Sequence, residues 1–287
     1  MSPRLAQWRH GGRDFLWRRH RLFYKDEGQG PALLLLHGYP TGSFDWHALW
    51  PALRQRHRLI APDLLGLGFS DKPLDHAYTL TQHAEAVDEL LDSLQLAEVH
   101  VVAHDLGVRV AQEMLARRET QSALARITRL VLLNGAMCPE AYRPRVIQRL
   151  LASPLGAWLG PRVPRRAFDR AVRGLFGLHT PPSAELLDDF WALLECGGGR
   201  RVTHAVGRFW QPRWAQRDRL VGALLRSPVP LRIVNGAADP NSGRHMVARW
   251  LELAPHAEVI SLAGIGHWPQ IEDPHRTARA ILEFLQP

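Results

Sequence analysis

Six short, strongly apolar runs punctuate the chain: Ala32–Leu36, Arg58–Ala61, Val99–Ala103, Ile127–Leu133, Leu231–Val234 and Glu258–Leu262. Runs of this length without polar alternation predict strands buried on both faces. Between them lie segments with helical spacing. Thr79 to Leu94 sets Ala84, Val87, Leu91 and Leu94 on one side, with Glu85, Asp88 and Glu89 largely outward. Gly107–Arg118, Arg244–Leu253 and Pro274–Leu285 repeat that pattern. Strand alternating with helix predicts an α/β fold, a mostly parallel sheet flanked by helices. Ahead of it, the first 25 residues carry Phe15-Leu16-Trp17 and Arg21-Leu-Phe-Tyr24, with Gly11-Gly12 as a turn. They read as an antiparallel strand or hairpin. The alternation stops near Ala136 and resumes near Leu231. The stretch between has helical patches, many Pro and Gly, and no buried strand. It reads as a helical cap, residues 136–226, inserted between two strands of a core formed by 1–135 and 227–287.

At 287 residues the chain is long enough to bury a core without disulfides or metals. No apolar run approaches the ~20 residues of a membrane span, and Met1–His10 has no apolar stretch like a signal peptide. Only two cysteines occur, Cys138 and Cys196, so neither a disulfide framework nor a cysteine zinc site is expected, and a reducing cytoplasm is the expected home. The net charge of +8 raises the question of nucleic acid. Its location answers it. Segment 136–226 holds 15 arginines against seven acids and so carries the whole excess. An Arg-rich, solvated helical surface that could attract anionic substrates is the expectation, with no nucleic-acid partner.

The chemistry concentrates where the third of these apolar runs meets a helix, at Ala103-His104-Asp105-Leu106-Gly107. Small residues flanking a central Asp permit a sharp strand-to-helix turn that pushes the middle side chain out above the sheet. The following helix offers free N–H groups and a positive dipole end. The position that often holds Ser holds Asp105, and no G-x-S-x-G occurs anywhere, which excludes a serine esterase or lipase. By itself Asp105 could equally be a helix N-cap. Two further loops change that. Asn235-Gly-Ala-Ala-Asp239 and Ala263-Gly-Ile-Gly-His267 each follow an expected strand. Nucleophile, acid and histidine thus fall in the chain order of α/β-hydrolases, each at the carboxyl end of a strand. Asp239 would fix the His267 tautomer and stabilise its imidazolium. After the first run, His37-Gly-Tyr-Pro40 constrains the backbone, and a cis bond before Pro40 is admissible. The N–H groups of Tyr39 and Leu106 would form an oxyanion hole, with His37 as a structural hydrogen-bonding residue.

From about Leu33 to its end the chain resembles the epoxide hydrolase and haloalkane dehalogenase branch of the α/β-hydrolase superfamily. The resemblance runs through His37-Gly-Tyr-Pro40, Asp63-Leu-Leu-Gly-Leu-Gly-Phe-Ser-Asp-Lys-Pro73, the His104-Asp105 elbow and the Asp239 and His267 loops. Within that branch, Tyr39-Pro-Thr-Gly-Ser-Phe-Asp-Trp46 and Cys138-Pro-Glu-Ala-Tyr-Arg-Pro144 are similar to the mesoderm-specific transcript subfamily. The resemblance implies an α/β-hydrolase fold and an Asp nucleophile that needs no cofactor or metal.

A carboxylate can displace oxygen from an epoxide carbon, or halide from an alkyl carbon, leaving an alkyl ester on Asp105. Water activated by His267 would then attack the ester carbonyl. Family epoxide hydrolases protonate the leaving oxygen with two cap tyrosines. Tyr142 lies in the region of the first, and His204 lies where the second would be expected, so Tyr142 and His204 are expected to converge opposite Asp105. Family dehalogenases hold halide with a Trp after the nucleophile and another Trp or Asn. Here Leu106 and Tyr39 stand at those positions and would line the pocket instead. Fluoroacetate-type dehalogenases match the elbow at Arg109 but also carry Arg at the position of Leu106. Trp158, Trp191, Trp210 and Trp214 are expected to pack the cap or line an apolar pocket. The reading is an epoxide hydrolase acting with water on a small apolar epoxide, as a monomer or homodimer. Its alternatives are a dehalogenase with the same nucleophile and a catalytically silent binding protein.

Overall fold

The computed structural model describes residues 1–122 and 124–286. Its strands are β1 (Arg13–Trp17), β2 (His20–Glu27), β3 (Ala32–Leu36), β4 (Arg58–Pro62), β5 (Glu98–Ala103), β6 (Arg126–Leu132), β7 (Leu231–Gly236) and β8 (Glu258–Leu262). They form one sheet in the order β1-β2-β4-β3-β5-β6-β7-β8. The pairs β1–β2 and β2–β4 are antiparallel and the other five are parallel. The central strands have the double burial their apolar runs imply: Leu33–Leu36 and Val101–Ala103 are solvent-free. The outermost strand β8 does not, since Glu258 and Ser261 are exposed and Val259 and Ile260 only half-buried. An edge strand has one sheet neighbour, so its outer side needs no apolar cover.

Helices cover both faces. Helix Leu80–Ser93 starts in a capping box between Thr79 and Gln82 and buries Ala84, Val87, Leu90 and Leu91. Helices Arg244–Leu253 and Pro274–Leu285 have the bounds the periodicity predicts. The expected N-terminal hairpin is present as β1 and β2, but Pro3–His10 ahead of it is a helix. Ser2 caps it, Pro3 opens it, and Leu5 and Trp8, one turn apart, enter the core.

All regular elements between β6 and β7 are helical, including Val146–Ala152, Arg165–Arg173, Ala184–Glu195 and Thr203–Val206. Helix Arg217–Arg226 differs from these. It packs on Leu106–Arg118, where Leu220, Val221, Ala223 and Leu224 join the cluster containing Met114, so it covers the sheet. Gln112 on the core helix donates to the carbonyls of Met137 and Leu220 and ties both ends of the inserted segment to the core. Trp210 is buried and Trp191 half-buried, but Trp158 and Trp214 are exposed, against expectation. Arginine stacking explains how water-facing indoles are accommodated: Arg162 lies 4.6 Å from the Trp158 ring centre and Arg213 5.8 Å from that of Trp214.

Candidate active site

The tip of β5 turns into helix Leu106–Arg118 through Asp105, whose φ of 50° lies in the left-handed region. A non-glycine residue there carries strain of about 1–3 kcal/mol. The surroundings enforce it. Asp105 N–H donates to the Asn134 carbonyl at 2.7 Å, and Gly107 N–H donates to His104 and His37 carbonyls. A Cβ on Gly107 would stand 2.3 Å from the Leu36 carbonyl oxygen, so only glycine permits the helix to start so close to β3.

Asp105 Oδ1 accepts the Tyr39 N–H at 2.9 Å, and Asp105 Oδ2 lies 3.4 Å from His267 Nε2. Leu106 opens the helix, where first-turn N–H groups have no intrahelical acceptor. On the other side of the imidazole, His267 Nδ1 lies 2.8 Å from Asp239 Oδ2. Asp239 also accepts from Asn134 Nδ2, Ser242 Oγ and Asn241 N–H. Such a carboxylate stays ionised although buried, because hydrogen bonds replace its water. Burial opposes it, but the His267 charge and these bonds hold its pKa down to about 2. Burial also opposes protonation of His267, yet the charge of Asp239 and the bonds to both carboxylates carry it up to about 10. Burial works against Asp105 as well, and the hydrogen bond and charge of His267 still lower its pKa. The resting site is thus an imidazolium between two carboxylates. His104 braces it, with Nε2 2.7 Å from the His267 carbonyl. His37 is bonded on both sides: Leu64 N–H donates to Nε2, which leaves Nδ1–H to donate to the Gly38 carbonyl.

Above Asp105 and His267 lies a cavity. Ile147, Leu151, Val163, Phe168, Val172 and Leu194 give it an apolar wall, and Gln148, Thr203, Asn241, Arg145 and Arg200 add polar groups. Tyr39 lines it as expected, but the Leu106 side chain is buried outside it. Tyr142 is buried and bonded to Gln148, but, against expectation, it is not among the residues that line the cavity. Burial raises its pKa, and so do the nearby charges of Asp105 and Asp239, against hydrogen bonds from Gln148 and Asn241. His204 does not join it. On helix Thr203–Val206 it is Thr203 that borders the cavity, and the next side chain is turned by about 100°. His204 instead packs beside Gly156, its Nδ1 buried without a partner. Arg109 also lies outside the cavity, solvent-free and bonded to Gln112 and Gln216.

Sequence reasoning missed Asn134, Gln148, Asn241 and Trp268. Asn241 and Trp268 had a signal, each standing within two residues of a catalytic candidate in a loop, whereas nothing local marks Gln148. Asp45, in the Phe-Asp-Trp46 stretch, is also buried near the site. Burial pushes its pKa up to about 8, against a hydrogen bond from Thr41. Among the described residues no cluster of His, Cys, Asp or Glu could hold a metal ion, and no helix is long and apolar enough to cross a membrane.

The alpha/beta hydrolase family pattern matches residues 33–280. Mesoderm-specific transcript protein from Mus musculus is 36% identical over 99% of this chain and 89% of its own length. Among solved structures, epoxide hydrolase CorEH superposes with a TM-score of 0.76 at 21% identity, covering 95% of this chain and 97% of its own. Haloalkane dehalogenase DbeA from Bradyrhizobium elkani superposes with a TM-score of 0.78 at 24% identity, covering 95% and 96%. Pattern, relative and fold agree, and the chain belongs to the alpha/beta hydrolase family.

Proposed function

We propose that this hydrolase opens epoxides to vicinal diols through an alkyl ester of Asp105. The observation that carries the reading is an ionised aspartate at the elbow, facing His267 and bordered by an apolar cavity with a phenol nearby. An Asp105 carboxylate oxygen forms a bond to a ring carbon as the carbon–oxygen bond of the ring breaks. The leaving oxygen takes the proton of Tyr142, which water later restores. Esterification removes the Asp105 charge and its hydrogen bond to His267, so the imidazolium releases its proton to solvent and becomes a base. His267 then deprotonates water attacking the Asp105 carbonyl carbon, with the oxyanion held by the Tyr39 and Leu106 N–H groups. Collapse expels the diol oxygen, which recovers the proton from His267, and the new Asp105 carboxyl passes its own proton to His267, restoring the resting carboxylate and imidazolium.

The test is a His267→Gln variant mixed with a small terminal epoxide. Intact mass should rise by the mass of the epoxide, with the adduct on the peptide containing Asp105. An adduct elsewhere, or full turnover by Asp105→Ala, overturns the assignment.

A dehalogenase with the same nucleophile is the second reading. Arg145 and Arg200 on the cavity wall favour a haloacid over a haloalkane. The buried position of Arg109, the arginine that the fluoroacetate-type elbow would use, speaks against it. Halide release against diol formation on matched substrates separates the two. A complete nucleophile, base and acid set argues against a silent binding protein.

A further inference from the structure

The amide of Gln148 has only one orientation that satisfies its neighbours. Its Oε1 accepts the backbone N–H of Arg145 at 2.8 Å and Asn241 Nδ2 at 3.3 Å. A backbone N–H can only donate, so reversing the amide would set donor against donor. Gln148 Nε2 must therefore face Tyr142, and it donates to the phenol oxygen at 3.1 Å. An amide N–H₂ offers no lone pair to a phenol. The Tyr142 proton is thus turned away from Gln148 and left for another acceptor. Gln148 and Asn241 both line the cavity that Asp105 and His267 share, and Tyr142, bonded to Gln148, stands just outside that lining.

We propose that Gln148 is a positioning residue that keeps the Tyr142 proton available to the leaving oxygen of the substrate. The proposal rests on the epoxide reading, and it supplies what His204 does not. As the ring opens, the oxygen receives the electron pair of the breaking bond and takes the phenol proton. The Gln148 N–H, already on the phenol oxygen, then stabilises the phenolate until water reprotonates it. The polarity of one amide, set by the Arg145 backbone at the start of helix Val146–Ala152, thereby decides whether Tyr142 is an acid or is occupied.

Single-turnover alkylation in the His267→Gln background tests this. Gln148→Glu keeps an acceptor for the Arg145 N–H but presents a second acceptor to Tyr142, which captures its proton. Gln148→Met removes both functions at similar size. General acid catalysis is worth about 10²–10⁴-fold, so Gln148→Glu should fall to the rate of Tyr142→Phe, with the Met variant in between. The double variant Gln148→Glu/Tyr142→Phe should be no slower than Tyr142→Phe alone, because the proton is already lost. Losses that multiply, or wild-type alkylation in Gln148→Glu, overturn the proposal.

A readout without turnover keeps this apart from the epoxide reading. With fluorotyrosine at position 142, Gln148→Met should raise the phenol pKa, since a donor to the phenolate is gone. A fall, or no change, overturns the orientation whatever the substrate. Conversely, a rise in that pKa with no epoxide adduct on Asp105 would sink the epoxide reading and leave the Gln148 geometry standing.

Discussion

His267 sits between two carboxylates with different fates in the proposed cycle. Asp239 remains charged, while Asp105 becomes a neutral ester. Loss of the Asp105 contribution lowers the imidazole pKa from about 10 in the resting site. Alkylation, which needs an ionised Asp105 and a protonated Tyr142, should therefore hold its rate through mildly acidic pH, where ester hydrolysis slows. The ester fraction at steady state, read by acid quench and mass spectrometry, should rise as pH falls; an unchanged fraction would contradict the order of events. In folding, the raised His267 pKa contributes stability that is full below ~6.5 and lost as pH rises through about 10. Asp45 has the same sign with a lower window. Its contribution is full below ~3.9 and lost as pH rises through about 8. Asp45→Asn removes that loss, so its melting temperature should gain on the wild-type value as pH rises from ~3.9 to about 8 and level off above. A constant offset across pH would show that the carboxyl is ionised at neutrality.

The elbow is where three elements approach within backbone contact. Gly107→Ala places a methyl 2.3 Å from the Leu36 carbonyl of β3, and neither β3 nor the helix start has a flexible side chain to yield. We expect a loss of roughly 3 kcal/mol or more by denaturant titration, the range of mutations that force backbone strain in a core. Stability near wild type would mean the helix start can shift. On the short helix Thr203–Val206 the opposite holds for His204. His204→Ala should leave alkylation within about twofold, as for substitutions away from a site. A loss approaching that of Tyr142→Phe would return His204 to the donor set.

At the scale of the molecule, the charge excess and the cavity meet in Arg145 and Arg200. Both line the cavity, and neither is fully buried. Arg200 is partly committed to Glu195 and to the Val163 carbonyl, and Arg145 to the Gly174 carbonyl. Their charge should still favour an epoxide carrying a carboxylate over its methyl ester in kcat/KM. Added salt should erode the preference, since partly exposed charges are screened over about 10 Å at 0.1 M. Equal turnover of acid and ester at low salt would assign these arginines to holding the cap together.

Apolar runs and helical spacing were enough to place the central strands and the main helices, because burial on both faces leaves a local record in the sequence. Residues 231–234 and 244–253 read as strand and helix for that reason, and the structure has them as Leu231–Gly236 and Arg244–Leu253. The order of Asp105, Asp239 and His267 in the chain was equally readable, since each stands in a loop at a strand end. Tertiary structure alone decided what faces them. His204 and Thr203 are neighbours in sequence, yet the pitch of one helical turn sets only Thr203 on the cavity. Gln148 carries no mark in a sequence at all. Its relation to Tyr142 depends on the direction of one amide, held by a backbone N–H three residues before it and by Asn241, 93 residues away. Hydrogen-bond polarity across such a distance follows from how the inserted helices close over the sheet, and no local pattern encodes it.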